Sequence, residues 1–187
     1  MEHIEHYLSE LKAALDTLDL SAVQRAREWV GEIRREGRQL FLCGNGGSAA
    51  TASHLANDLG KGASYGRPRE NRFRVVALTD NVPWITSLAN DVGYEAIFAE
   101  QLRNLGQPGD LLIAISGSGN SSNVLNAVQV AREQGMRSIG WCGFGGGKLA
   151  GLVDLPVVVG SHHMGRVEDV HAVLMHLICY YFMERES

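Results

Sequence analysis

The spacing of hydrophobic positions changes along this chain. Near the start, Ile4, Tyr7, Leu8, Leu11, Ala14 and Leu15 recur at helical intervals and predict an amphipathic helix over residues 2–18. Leu20 and Ser21 lead into a second helix, whose buried face is Val23, Ala26, Trp29, Val30 and Ile33 and whose C-terminal stop is Gly37. From residue 40 the apolar residues come instead in short runs: LFLC (40–43), FRVVAL (73–78), LLIAI (111–115), RSIGW (137–141) and DLPVVV (154–159). Helical segments separate them at 48–60, 82–104, 121–134 and near 147–151, and a last helix covers about 165–184. Apolar strands without alternation, spaced by helices, belong to a parallel sheet covered on both faces. The expected fold is α/β, a three-layer sandwich with a five-stranded parallel sheet preceded by an N-terminal helical pair. The 187 residues suffice for one full core, so one domain is expected, with helices over 1–36 and the α/β core over 37–187.

In such a sheet, ligands sit beyond the carboxyl ends of the strands. The loops to read therefore follow residues 43, 78, 115 and 142. After the first strand comes Gly44-Asn45-Gly46-Gly47-Ser48. Its glycines let backbone approach an anion, Ser48 is placed to cap the following helix, and the first N–H groups of that helix point at the ligand. The pattern also fits a dinucleotide fingerprint, but the acidic residue such a site needs about 20 positions on is missing, since the second strand ends near Asp80. A nicotinamide cofactor is therefore not expected. After the third strand, Ser116-Gly117-Ser118-Gly119-Asn120-Ser121-Ser122 holds more hydroxyls than a turn requires. Hydroxyls and backbone N–H groups suit a phosphomonoester, whose oxygens only accept hydrogen bonds. After the fourth, CGFGGGKLAG (142–151) lacks the first glycine and the Ser/Thr of an ATP-binding loop and reads as a flexible turn. Asn90 and Asp91 can cap a helix or bind a sugar.

Charge and cysteine content narrow the setting. With 17 Lys+Arg against 21 Asp+Glu and no dense basic run, the chain has no footprint for nucleic acid. Cys43, Cys142 and Cys179 are far apart and odd in number, which suits a reducing cytosol rather than a disulfide framework. The N-terminus lacks a basic segment followed by an apolar one, and no apolar stretch is long enough for a membrane span. A cytoplasmic protein with no membrane partner is expected.

His54 and Asp58 are four apart on the helix that starts at the glycine loop, and so share a face. On the last helix, Glu168 and His176 are about 80° apart around the axis and about 12 Å apart along it, while His171 lies about 140° from His176. One metal meets both Glu168 and His176 only if their side chains lean together, unless they serve sites in different copies of an oligomer. His3, His6, His162 and His163 read as surface or structural residues.

The combination GNGGSA, H-x-x-x-D, AND, ISGSGNS and E-x-x-H-x-x-x-x-H resembles the sugar isomerase (SIS) domain family, and within it the bacterial phosphoheptose isomerases, nearly end to end. The resemblance implies a homotetramer with active sites between subunits. It also implies interconversion of sedoheptulose 7-phosphate and D-glycero-D-manno-heptose 7-phosphate, a step toward heptose of the bacterial outer surface. The family's substrate loops fall on Asn45, Gly46 and Gly47 with Ser48 beside them, on Asn90 and Asp91, and on Ser116, Gly117, Ser118 and Ser121. Its zinc ligands and catalytic pair fall on His54, Asp58, Glu168 and His176, Glu168 also touching substrate. Two positions depart from the family. Asp58 stands for a Glu and is shorter by about 1.5 Å, and Glu168 stands for a Gln and adds a negative charge. Two imidazoles and two carboxylates suit Zn²⁺ or another divalent cation.

The chemistry expected is an aldose–ketose isomerisation through an enediol, with Asp58 as base and His176 as acid or proton shuttle. The alternatives are the same chemistry on another sugar phosphate, a sugar-phosphate sensor without turnover, or a non-catalytic relative that binds the replication initiator DnaA. Retention of both His54 and His176 argues against the last.

Overall fold

The computed structural model describes residues 1–185. Five strands, β1 (Gln39–Gly44), β2 (Arg74–Ala77), β3 (Leu111–Ser116), β4 (Arg137–Cys142) and β5 (Leu155–Val158), form one sheet in the order β2-β1-β3-β4-β5. Every pairing is parallel. The helices are α1 (Glu2–Asp16), α2 (Leu20–Arg35), α3 (Gly47–Asn57), α4 (Val82–Asp91), α5 (Ala99–Leu105), α6 (Ser122–Glu133), α7 (Leu149–Leu152) and α8 (Met164–Glu184).

In the inner strands β1, β3 and β4 the side chains alternate between two apolar layers and almost none reaches water, whereas edge strand β2 exposes Arg74 and Val76. Leu40, Leu42, Ile113 and Ile115 pack with α2, α3 and α8, while Phe41, Cys43, Leu112 and Ala114 pack with α5, α6 and α7. This two-sided burial is why the strands read as unbroken apolar runs. The end of α2 follows from Gly37, whose φ of +64° lets Arg38 N–H bond back to the Ile33 carbonyl at 2.8 Å.

Three expectations are refined. The helix expected over 82–104 divides into α4 and α5 because Gly93, at φ 141°, turns the chain between them. α3 ends at Asn57, and Asp58–Gly62 widen into a π-helical turn. Only Ala14 of α1 is buried, whereas Ile4 and Leu8 stay 57% and 50% exposed. The amphipathic pattern of α1 therefore exceeds what one chain covers.

The order of strands makes β1 the turning point of the sheet: the chain steps to β2 on one side and then crosses to β3 on the other. The crevice beyond the ends of β1 and β3 is the place where such sheets hold ligands.

Candidate active site

Both central strands end in loops that open onto that crevice. After β1 the backbone turns at Gly46, with φ 55° and ψ −121°, outside the range of ordinary side chains. α3 begins at once, and a Cβ on Gly47 would collide with the Glu168 carboxylate. α3 and α6 both begin without a side-chain cap. The expected capping role of Ser48 is thereby corrected: Gly46 occupies the cap position, and Ser48 lies inside the first turn, buried to 5% exposure. Asn45, Gly46, Gly47 and Ser48 on one side and Ser116, Gly117, Ser118 and Ser121 on the other line a single cavity of 270 Å³. The Ser116 and Ser121 hydroxyls lie 3.1 Å apart. Ser48 and Ala49 N–H bond back to the Asn45 and Gly46 carbonyls, and Val124 N–H to Asn123 Oδ1. The two helix N-termini still turn their positive dipole ends and a rim of hydroxyls toward one cavity and form a cradle for an anion. Met164 and Glu168 of α8 close its remaining side.

The glycine-rich stretch after β4 braces this cradle. Gly143 N–H donates to the Gly117 carbonyl at 2.8 Å, Leu149 N–H to the Gly119 carbonyl at 3.0 Å, and Lys148 N–H to Asn120 Oδ1 at 3.2 Å. A Cβ on Gly119 would overlap the Gly146 carbonyl, so the two backbones touch. What reads in sequence as a flexible turn is a packed support.

Asn90 and Asp91 sit exposed at the end of α4, outside the cavity, with Asn90 Nδ2 donating to Asp91 Oδ1 at 2.7 Å. Two residues that sequence reasoning passed over connect this segment to the cradle. Tyr94 donates to Asn45 Oδ1 at 3.0 Å, and Asn123, in the first turn of α6, exchanges two hydrogen bonds of 2.8 Å with the Asn45 amide. The run of polar residues through Asn123 was the only signal for the second. Nothing local marks Tyr94, because its partner is 49 positions away.

A second group of side chains forms where α3 and α8 lie side by side. His54 Nε2 is 3.5 Å from Asp58 Oδ2, and the His54 and His176 rings meet edge to face at 5.3 Å. Ligand atoms of His54, Asp58 and His176 all lie within 4.8 Å of one another. The π turn begins at Asp58, and Asn57 Nδ2 donates to Asp58 Oδ1 at 3.0 Å. Glu168 does not join them within the chain. It faces Gly47, eight residues or about 12 Å up α8 from His176. Of the four expected metal-site residues, three meet and the fourth belongs to the cradle.

His171 is buried between α8 and the sheet, 6.1 Å from the Trp141 ring, and neither ring nitrogen makes a hydrogen bond of normal geometry. Burial pulls its pKa down to about 4, the nearby Cys142 backbone offsetting only part of the effect. It is neutral at physiological pH. The three cysteines are buried too, and burial pushes the thiols of Cys43 and Cys142 up to about 12 and about 11 and raises that of Cys179 as well. None supplies a thiolate at neutral pH. Among the described residues, no helix is long and apolar enough to cross a membrane.

Comparison with known proteins identifies the relatives of this fold. Residues 5–143 match the SIS domain family. The phosphoheptose isomerase of Roseiflexus sp. (strain RS-1) is 39% identical over 178 residues, covering 92% of this chain and 89% of that one. That of Rhodospirillum rubrum is 42% identical over 160 residues, 84% and 82% of the two chains. Among solved structures, the phosphoheptose isomerase of Neisseria gonorrhoeae superposes with a TM-score of 0.88 at 31% identity, covering 97% of each chain.

Proposed function

We infer the reaction from kinship and geometry together: the chain belongs to the SIS domain family, among the phosphoheptose isomerases, and is a sugar-phosphate isomerase. Its reaction is the interconversion of sedoheptulose 7-phosphate and D-glycero-D-manno-heptose 7-phosphate. The observation that carries the phosphate end is the pair of helix N-termini, α3 and α6, both without side-chain caps and both opening on one serine-rimmed cavity. The phosphate replaces the missing caps, and its remoteness from the reacting carbons lets it orient them. Ser116, Gly117, Ser118 and Ser121 grip it with Asn45, Gly46, Gly47 and Ser48. Asn90 and Asp91 contact the sugar, and Glu168 reaches the substrate from α8.

Asp58 moves the proton between C1 and C2, and His176 services the oxygens as the enediol forms and collapses. Support for this pair is their proximity, with His54 beside both. The group fits a divalent cation, since two imidazoles and a carboxylate converge within the span of one ion and match the nitrogen and oxygen donors that Zn²⁺ accepts. Zn²⁺ held by His54, Asp58 and His176 would polarise substrate oxygens as a Lewis acid when bound. Glu168 enters that shell only from another subunit.

Assembly is the remaining part of the proposal. His176 shares an exposed surface groove with Val173, Leu177 and Tyr180 of α8, and Ile4 and Leu8 of α1 are exposed as well. We take these faces as the contacts of a homotetramer that covers the His54–Asp58–His176 group. Residues 1–36 and 37–187 are read as one domain, supported by the bonds of Tyr7 to Asp169 and of Gly160 N–H to Thr17. The enzyme is read as cytoplasmic, in keeping with its phosphoheptose isomerase relatives, and as having no nucleic-acid partner, since it carries no dense basic run.

The test is NMR of sedoheptulose 7-phosphate with the purified protein in D₂O, zinc supplied. Appearance of the aldose with deuterium at C2 supports the reading. Unchanged ketose, with binding demonstrated, removes it.

A further inference from the structure

The Asn45 side chain is the junction of three loops. Its Oδ1 accepts from Asn123 Nδ2 at 2.8 Å and from the Tyr94 hydroxyl at 3.0 Å, while its Nδ2 donates to Asn123 Oδ1 at 2.8 Å. Both lone pairs of the amide oxygen and one of its two N–H donors are thereby occupied. Asn123 is 1% exposed, and its Oδ1 also accepts from Val124 N–H at 2.9 Å, which fixes the amide on the first turn of α6. One turn further along α6, Asn126 Nδ2 donates to the Glu95 carbonyl at 3.1 Å, directly after Tyr94. α6 therefore holds the β1 loop with one asparagine and the segment after α4 with another, and Asn45 joins the two.

We propose that Asn123 and Tyr94 are positioning residues of the isomerase, acting through Asn45 to set the phosphate cradle and the Asn90–Asp91 segment in register. This rests on the isomerase reading given above for its sugar arm, but not for its phosphate arm. The two links have separate duties. The Asn45–Asn123 pair joins the loops that flank the anion, so it governs phosphate affinity. The Tyr94 link joins the cradle to the segment presented to the sugar, so it governs the alignment of a whole sugar phosphate and not the grip on phosphate alone. An Asn45 amide so engaged has one N–H left, and its service to the ligand is mainly to hold the backbone of Gly46 and Gly47 in place.

The experiment compares Asn123→Asp and Tyr94→Phe with the parent protein. Calorimetry with inorganic phosphate reads the cradle, and kcat and KM with sedoheptulose 7-phosphate read the alignment. Asp at 123 keeps the bond from Val124 N–H but sets a carboxylate oxygen against Asn45 Oδ1; inorganic phosphate affinity is expected to fall about tenfold or more. Phe at 94 removes one hydroxyl; kcat/KM is expected to fall about two- to tenfold, with phosphate affinity changed less than twofold and the melting temperature unmoved. Parent-like phosphate binding by Asn123→Asp would overturn the role of Asn123. Parent-like kcat/KM in Tyr94→Phe, or a loss matched by an equal loss of phosphate affinity, would overturn the role of Tyr94. If the parent protein does not turn over the sugar phosphate at all, the isomerase reading fails by itself. The phosphate titrations, together with calorimetry of sugar-phosphate binding, then still decide the junction.

Discussion

Asp58 and His171 show how differently two polar side chains on neighbouring helices can be used. Asp58 lies beside His54 and His176, with its side chain 14% exposed, at the start of a turn wider than an α-helical one. Such turns recur at functional positions because they displace one side chain from the regular helical path. Asp58→Asn keeps the shape and the hydrogen-bonding capacity but removes the proposed base. Turnover is expected to drop at least about a hundredfold, the scale of general-base catalysis, with an unchanged circular dichroism spectrum; activity near the parent level would exclude Asp58 as the base. His171 has no such company. Burial holds its pKa at about 4, below the ordinary value of 6.5. Above pH 6.5 the ring is neutral in both the folded and the unfolded chain. As pH falls from 6.5 toward 4, the unfolded chain takes up a proton that the folded one refuses, so stability is lost across that window, by up to about 3 kcal/mol. His171→Leu is expected to flatten this dependence and to be neutral or stabilising at pH 7, since it removes two unpaired buried nitrogens. Urea denaturation at pH 7 and pH 4.5 measures both effects.

Among the elements, the β1–α3 turn carries the most function in the fewest residues. Gly46 adopts a conformation that a side chain resists, and the anion cradle depends on it. Gly46→Ala is expected to cost about 1–3 kcal/mol of stability and to weaken inorganic phosphate binding together with it, read by thermal denaturation and calorimetry on one sample. Much of this element was legible beforehand, because strand, glycine loop and helix follow each other in GNGGSA. The error over Ser48 came from counting residue types without the dihedral that puts Gly46 at the cap. The His54–Asp58 pair was legible from its spacing, and the separation of Glu168 from His176 from the rise of a helix over eight residues. Their convergence with α3 was not, since it depends on α3 and α8 lying side by side, with Gly47 opposite Glu168 and His54 opposite His176. The Asn45–Asn123 pair was hidden for a like reason: 78 residues part its members, and only the pairing of β1 with β3 brings them together.

At the scale of the whole molecule, the five strands and their parallel order follow from apolar runs spaced by helices, and the order β2-β1-β3-β4-β5 places both anion loops at one crevice. What the sequence leaves open is which apolar faces remain uncovered by the chain itself. Val173, Leu177 and Tyr180, at 38%, 50% and 48% exposure, form a stripe beside His176. Leu177→Glu sets a charge on that stripe without touching the core. If the proposed tetramer forms through this stripe, the substitution is expected to give smaller species than the parent in light scattering and to lower kcat by an order of magnitude or more, while phosphate binding by the separated chains persists. A tetramer that survives the substitution would place the interface elsewhere.

The two uncapped helices have a further consequence, for how the protein is kept intact. A ligand held between them draws together the segments after β1 and β3, the two strands at which the chain reverses its direction of travel through the sheet. Occupancy then works as a removable staple at the centre of the molecule. At a ligand concentration a hundred times its dissociation constant, it adds about 2.7 kcal/mol to the folded state, and the protection is concentrated in the amides of α3 and α6. Saturating sugar phosphate is therefore expected to lengthen the life of the folded enzyme, and its loss to loosen first the opening turns of α3 and α6 rather than the buried strands behind them.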